Sequence, residues 1–217
     1  MPPHSPILNS DLTFVTTAPQ LPIDGQLMFW LLPALKIARV SIAQLLTEKL
    51  GRSVEWQTGK FGKPSIKGEP LSLSWSHTRS LTLLALRKNG ALGVDLEGPR
   101  TIGSAILQRC YTPAERALCS QTADCARRIW CLKEAYVKAL GRGIGFGLQR
   151  IDCSESQLSV IDSTDSAAEP SVQPAFISSY QLIENHHGAL VCLDHAPESF
   201  FAIDLRGYCE QLGTKAR

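Results

Sequence analysis

Three acidic residues and one lysine are the part of this chain best equipped for chemistry. Asp95 and Glu97 lie in Gly93-Val94-Asp95-Leu96-Glu97; Glu134 and Lys138 lie in Trp130-Cys131-Leu132-Lys133-Glu134-Ala135-Tyr136-Val137-Lys138. Carboxylate oxygens suit a hard divalent cation such as Mg²⁺, which keeps some of its waters and shares the phosphate oxygens of a substrate. A lysine beside them can neutralise charge on a phosphoryl group in transfer. Together these types point to a cation held against a polyphosphate. Taken singly they would not: an acidic pair at a strand end is ordinarily a solvated face. A Glu–Lys pair four apart is ordinarily a surface ion pair worth about 0.3–0.5 kcal/mol.

The elements that must position them can be read from the local pattern. Val94, Asp95, Leu96 and Glu97 alternate apolar and acidic, so on a strand both carboxylates share a face, and Gly98-Pro99 stops the strand just beyond them. On a helix Glu134 and Lys138 stack one above the other, and Gly141 suits a left-handed cap. A helix is expected over Lys36–Leu50, ended by Gly51, with others over Ile102–Gln108 and Asp124–Leu140. Thr112-Pro113-Ala114-Glu115 is a capping-box start with proline at the first helical position. Strands are expected at Leu12–Thr17, Leu71–Trp75, Leu81–Arg87, Ala91–Leu96, Gln157–Ile161, Ala175–Ile183, Ala189–Leu193 and Phe200–Leu205, with a surface loop at Ser163–Pro174. The fold class is α/β (α+β).

The order of Gly62-Lys63-Pro64, Leu73-Ser74-Trp75-Ser76-His77, Gly93-Val94-Asp95-Leu96-Glu97 and the Trp130–Lys138 segment with Gly141 and Gly143 resembles the 4′-phosphopantetheinyl transferase superfamily, in its long, single-chain, surfactin-type branch. The resemblance runs from Arg39 to Gly143, about half of the chain. It implies two similar α/β halves, 1–100 and 101–217, related by a pseudo-twofold with the active site between them. It implies transfer of the phosphopantetheine arm of coenzyme A to a serine of an apo acyl or peptidyl carrier protein, releasing 3′,5′-ADP. Asp95, Glu97 and Glu134 would then be ligands of Mg²⁺, with Mn²⁺ able to replace it. Glu134 would be the base, acting directly or through water. Lys138 would serve both catalysis and coenzyme binding, and Arg39, Lys63, Ser76 and His77 would hold the nucleotide end, chiefly its 3′-phosphate. The family usually carries Asn or a similar residue where Ser74 stands. Two other readings use the same residues: a metal-dependent hydrolase of the coenzyme A diphosphate, and a non-catalytic coenzyme A binding protein.

Composition bounds these readings. With 217 residues and a formal charge of +2, no lysine- or arginine-rich block argues for nucleic acid, so an anionic ligand needs a local cluster of cations. The Leu27–Leu35 run is too short to span a bilayer and Pro33 interrupts it. Met1-Pro2-Pro3-His4-Ser5-Pro6 has no charged lead or apolar core, so there is no case for secretion and a cytoplasmic protein with no membrane partner is expected; a monomer is expected as well. Its seven cysteines show no two-residue spacing and read as reduced thiols, Cys131 as a packed, inert one. Gly141–Gly147 follows a helix and so lacks the setting of a phosphate loop, reading instead as a helix terminus and close-packed bend. Ser76-His77 lacks nucleophile-elbow glycines and reads as a phosphate-binding pair. His186-His187 has no acid at ligand spacing and reads as exposed turn histidines. Trp130 is expected to pack its helix into the core.

Overall fold

The computed structural model describes residues 7–120, 122–155, 158–160, 174–182 and 185–215. Its strands are β1 (Ile7–Asp11), β2 (Gln26–Pro33), β3 (Trp56–Thr58), β4 (Pro64–Ile66), β5 (Leu71–His77), β6 (Leu81–Lys88), β7 (Leu92–Glu97), β8 (Ile151–Asp152), β9 (Ser159–Val160), β10 (Phe176–Gln181), β11 (His187–Cys192) and β12 (Ser199–Asp204). Its helices are α1 (Leu35–Leu50), α2 (Ser104–Cys110), α3 (Pro113–Cys119), α4 (Ala123–Leu140) and α5 (Arg206–Lys215). The chain is mixed α+β. Most of the expected loop at Ser163–Pro174, residues 163–173, lies outside the described residues, as do Gln157, Ile161 and Ile183 from the ends of expected strands. Among the described residues no helix is long and apolar enough to cross a membrane.

Two four-stranded sheets carry the fold, in the orders β12-β2-β6-β5 and β1-β10-β11-β7. Each contains a strand–helix–strand–strand run: β2-α1-β5-β6 in the first and β7-α4-β10-β11 in the second. In both, the third strand of the run lies between the other two and is antiparallel to each. A further strand then joins each sheet in parallel: β12 beside β2, and β1 beside β10. The division expected at residue 100 is therefore crossed in both directions. β7 precedes it but pairs with β11, while β12 follows it but pairs with β2.

The apolar run at Leu27–Leu35, whose pattern specifies no element, supplies β2, a central strand. Its continuous apolar character follows from burial on both faces. Met28, Trp30 and Leu32 join the core under α1, with Ile42, Leu45, Leu46 and Cys209. Leu27, Phe29 and Leu31 enter the core between the sheets, with Leu83, Val94 and Leu190. A third core lies between the outer face of the second sheet and α4, where Ile177, Ala189 and Val191 meet Ile129, Leu132 and Tyr136. The strand expected at Leu12–Thr17 is replaced by β1. Within that stretch Val15 makes an isolated bridge to Ile203, as the chain passes from the edge of one sheet to the edge of the other. The carboxyl-terminal helix α5 is an addition to the elements expected from the sequence.

β7 and α4 approach unusually closely. A methyl group on Gly93 would lie 2.0 Å from the Ala135 carbonyl oxygen and 2.3 Å from the Ala139 nitrogen, so only glycine fits. Lys63 fastens this crossing, its ammonium donating to Leu92 O at 3.1 Å and Ala139 O at 2.8 Å. Gly141 then ends α4 in the left-handed region, with φ 67°, as its position suggested. We expect Gly93→Ala to cost about 3 kcal/mol or more, lowering the melting temperature by roughly 10 °C. Gly145→Ala, where an added methyl meets nothing within 4 Å, should stay within about 0.5 kcal/mol of the parent. Thermal unfolding of both variants checks this, and equal effects would refute the close-contact account.

Candidate active site

Alternation along β7 sends Leu92, Val94 and Leu96 into the core between the sheets and turns Gly93, Asp95 and Glu97 to the α4 side. Asp95 is 4 % exposed. Its Oδ1 accepts the Ser76 hydroxyl at 2.7 Å and the Lys138 ammonium at 2.6 Å. Its Oδ2 is buried without a hydrogen-bond partner, and Glu134 Oε1 is in the same condition. Such orphaned carboxylate oxygens are costly unless something binds them. Burial first, and then the charges of Asp95 and Glu97, push the Glu134 carboxyl up to about 7, with Lys138 opposing the shift. Three of the expected acids therefore sense one another.

They are not all open. Arg100 takes both oxygens of Glu97, at 2.5 and 2.8 Å, and lies over the Trp130 ring, which is itself partly buried against the α4 core. Among the described residues no group of three His, Cys, Asp or Glu side chains is arranged to hold a metal ion. A cation would have to displace Arg100 from Glu97 to gain all three acids, whereas Asp95 keeps Oδ2 open while Oδ1 holds Lys138. The two partnerless oxygens, one on each side of the β7–α4 crossing, nevertheless fit a cation as donors.

The residues expected at the nucleotide end divide. Arg39 and Lys63 line one cleft of about 300 Å³ with Ser74, Trp75, Lys138 and Arg142. His77, which is exposed, lines a second cleft of about 1070 Å³ with Arg79, Glu97, Arg100 and His186. Trp75 and His77 share a face of β5, so the two clefts follow one another along that strand. Ser76 points the other way and is engaged by Asp95, so it lines neither cleft. Lys63 gives two hydrogen bonds to backbone carbonyls, and burial lowers its ammonium to about 8, against the opposing pull of Asp194. Ser74, the departure from the family pattern, serves the architecture. Its hydroxyl accepts the Val94 amide at 3.1 Å and so ties β5 to the free edge of β7.

Sequence reasoning misses or misreads other features. Lys133, adjacent to Glu134, is fully buried and ion-paired to the equally buried Glu115 at 2.6 Å. Its ammonium also donates to Cys110 O and Leu148 O, while Glu115 accepts the Thr112 and Cys153 amides. Burial pushes the Glu115 carboxyl up, and the Lys133 charge opposes it. This hub fixes the rotation of α4 about its axis, and with it the direction of Glu134. Glu115 is legible as half of the capping box, which is present, but its partner eighteen residues on is not. The expectation of exposed histidines at His186-His187 fails, because the β10–β11 turn folds back against the first sheet. His186 is 3 % exposed, with Nε2 3.2 Å from Thr78 Oγ1. His187 opens β11 opposite Glu97 and stands 3.7 Å from Asp124; burial, then Arg127, lowers its imidazole. Cys131 is fully buried, and burial holds its thiol well above the ordinary range, as a packed thiol requires.

A group whose folded titration point is raised stabilises the fold while protonated and loses that contribution as pH climbs toward the raised value. For Glu134 the window runs from about 4.5 to about 7. Glu134→Gln cannot ionise, so its stability advantage over the parent should grow across that window. Between pH 4.5 and pH 8 the growth should be on the order of 2 kcal/mol, discounted for partial exposure. Urea unfolding at the two pH values measures it, and a constant difference would contradict the raised titration.

Comparison with known proteins gives this site its context. Residues 91–191 match the family model of the 4′-phosphopantetheinyl transferase superfamily. A phosphopantetheinyl transferase of Thraustochytrium sp. is 30 % identical over 181 residues, covering 72 % of this chain and 62 % of the relative. An L-aminoadipate-semialdehyde dehydrogenase-phosphopantetheinyl transferase of Xenopus laevis is 30 % identical over 147 residues, covering 56 % and 48 %. The 4′-phosphopantetheinyl transferase psf-1 of Bacillus pumilus is 28 % identical over 121 residues, covering 52 % of each. The chain thus spans about half to three-fifths of the length of these relatives.

Proposed function

We propose that this chain, whose residues 91–191 match the family model of the 4′-phosphopantetheinyl transferase superfamily, belongs to that superfamily and moves the phosphopantetheine arm of coenzyme A onto a serine of an apo carrier protein, releasing 3′,5′-ADP. The observation that carries the reading is the pair of partnerless buried oxygens, Asp95 Oδ2 and Glu134 Oε1, with Lys138 on Asp95 lining one cation-bearing cleft and Glu97 lining the other. The repeated β2-α1-β5-β6 and β7-α4-β10-β11 runs support a pseudo-twofold relation, with this site where the edges of the two sheets meet.

Asp95 and Glu134, joined by Glu97 once Arg100 is displaced, would hold Mg²⁺ or Mn²⁺. Such an ion, when bound, supplies Lewis-acid polarisation of phosphate oxygens and a template for the diphosphate. The protein's residues do the rest. Glu134 would take the proton of the attacking serine hydroxyl, directly or through water. Lys138 is held by Asp95 within reach of charge developing on the phosphoryl oxygens. Arg39, Lys63 and Arg142 give the smaller cleft the cations that the nucleotide phosphates require. His77 lies at the neighbouring cleft, so it would meet the coenzyme from the far side of Trp75. The protein works as a monomer in the cytoplasm in this proposal.

Incubation with coenzyme A, Mg²⁺ and a panel of apo carrier proteins, followed by weighing the carriers, tests the proposal. We expect the mass of one phosphopantetheine to be added to a carrier, EDTA to abolish the gain, and folded Asp95→Ala to be nearly inactive. Glu134→Gln should lower turnover by about 10² or more, and Lys138→Ala should act mainly on turnover. Release of free phosphopantetheine without a carrier would instead mark a hydrolase. Tight coenzyme A binding without turnover would mark a binding protein.

A further inference from the structure

Two of the seven cysteines, six positions apart, stand at the joint between helices that position the site. Cys119 is the last residue of α3, and Cys125 lies in the first turn of α4. The Cys119 thiol donates to Cys125 Sγ at 3.7 Å, and both are partly exposed. Cys131, Cys153, Cys192 and Cys209 are buried at 0 % exposure, out of reach of a solute in the folded protein. The local backbone is organised to keep the pair together: Thr122 caps α4 by accepting the Cys125 amide, and Ser120 Oγ donates back to Ala117 O. Burial and the neighbouring Cys125 push the Cys119 thiol up to about 12. α3 also carries Glu115, which grips Lys133 on α4 one residue before Glu134.

We infer that Cys119 and Cys125 form an oxidisable dithiol, closed to a disulfide by hydrogen peroxide, that staples the end of α3 to the start of α4. In the first step the Cys125 sulfur attacks a peroxide oxygen. The O–O bond breaks, one water leaves, and Cys125 carries a sulfenic acid. In the second the Cys119 sulfur attacks Cys125 Sγ, the S–O bond breaks, and the hydroxyl departs as water with the Cys119 proton. Two thiols are oxidised by two electrons and one hydrogen peroxide is reduced to two waters. The staple closes a short loop beside the Glu115–Lys133 hub, adding a covalent tie to the ionic one.

The test uses the whole protein, treated with stoichiometric hydrogen peroxide, alkylated while denatured without reductant, and digested with trypsin. No lysine or arginine separates the two cysteines, so the peptide Ala117–Arg127 contains both. It should appear lighter by two hydrogens and unalkylated, and dithiothreitol before alkylation should restore two labels. The oxidised protein should melt roughly 5 °C higher than the reduced one. Cys119→Ser should lose both the internal link and the melting shift while melting near the reduced parent without oxidant. Because the peptide chemistry is read on the parent protein, the result does not depend on that variant folding, nor on transferase activity. Two alkylated cysteines in that peptide after oxidation, a sulfinate at Cys125 beside an alkylatable Cys119, or a link from either to Cys110 would overturn the inference.

Discussion

The contact between Gly93 and the Ala135–Ala139 stretch of α4 is the constraint on which the rest of this structure depends. A strand carrying two carboxylates can face a helix carrying a third, together with a lysine, only if the backbones come close, and the absent side chain at Gly93 permits that. Once they are close, the charges are no longer independent. Asp95 takes Lys138, Glu97 takes Arg100, and Glu134 is left partly buried beside two like charges, with its titration pushed to about 7. Lys63 over the crossing, Ser74 on the edge of β7 and the Glu115–Lys133 hub behind α4 all hold the same approach. Stability and chemistry pull in opposite directions here, since the fold keeps two carboxylate oxygens buried without partners.

Much of this is legible in the sequence because it is local. Alternation marks β7, helical spacing places Glu134 above Lys138, glycines mark the ends of α1 and α4, and Thr112–Glu115 announces its capping box. What escapes is set by tertiary contact. β2 has no alternation to read because both its faces are buried in different cores. Lys133 carries no local sign of burial, because its partner Glu115 lies eighteen residues away in sequence. His186 and His187 find Thr78 and Asp124, both more than sixty residues away in sequence. Ser76 and His77 are adjacent in sequence and therefore face opposite ways on β5, so only His77 lines a cleft.

The same geometry bears on how a coenzyme would be received. Coenzyme A is anionic at its diphosphate and again at its 3′-phosphate, and cations line two successive clefts along β5. With a net charge of only +2, attraction of an anion there rests on the cations lining the clefts and not on the protein's overall charge. Lys63 lines the smaller cleft, and its ammonium fastens β7 to α4.

Electrostatic coupling of Glu134 to Asp95 across the β7–α4 crossing is the central claim about this site. Carbon-13 NMR of the Glu134 carboxyl carbon, titrated in the parent protein and in Asp95→Asn without added metal, measures that coupling directly. The predicted midpoint is near 7 in the parent, falling toward the ordinary carboxylate range once the Asp95 charge is removed and Lys138 is released. An ordinary midpoint in the parent, or one that does not move in Asp95→Asn, would contradict it.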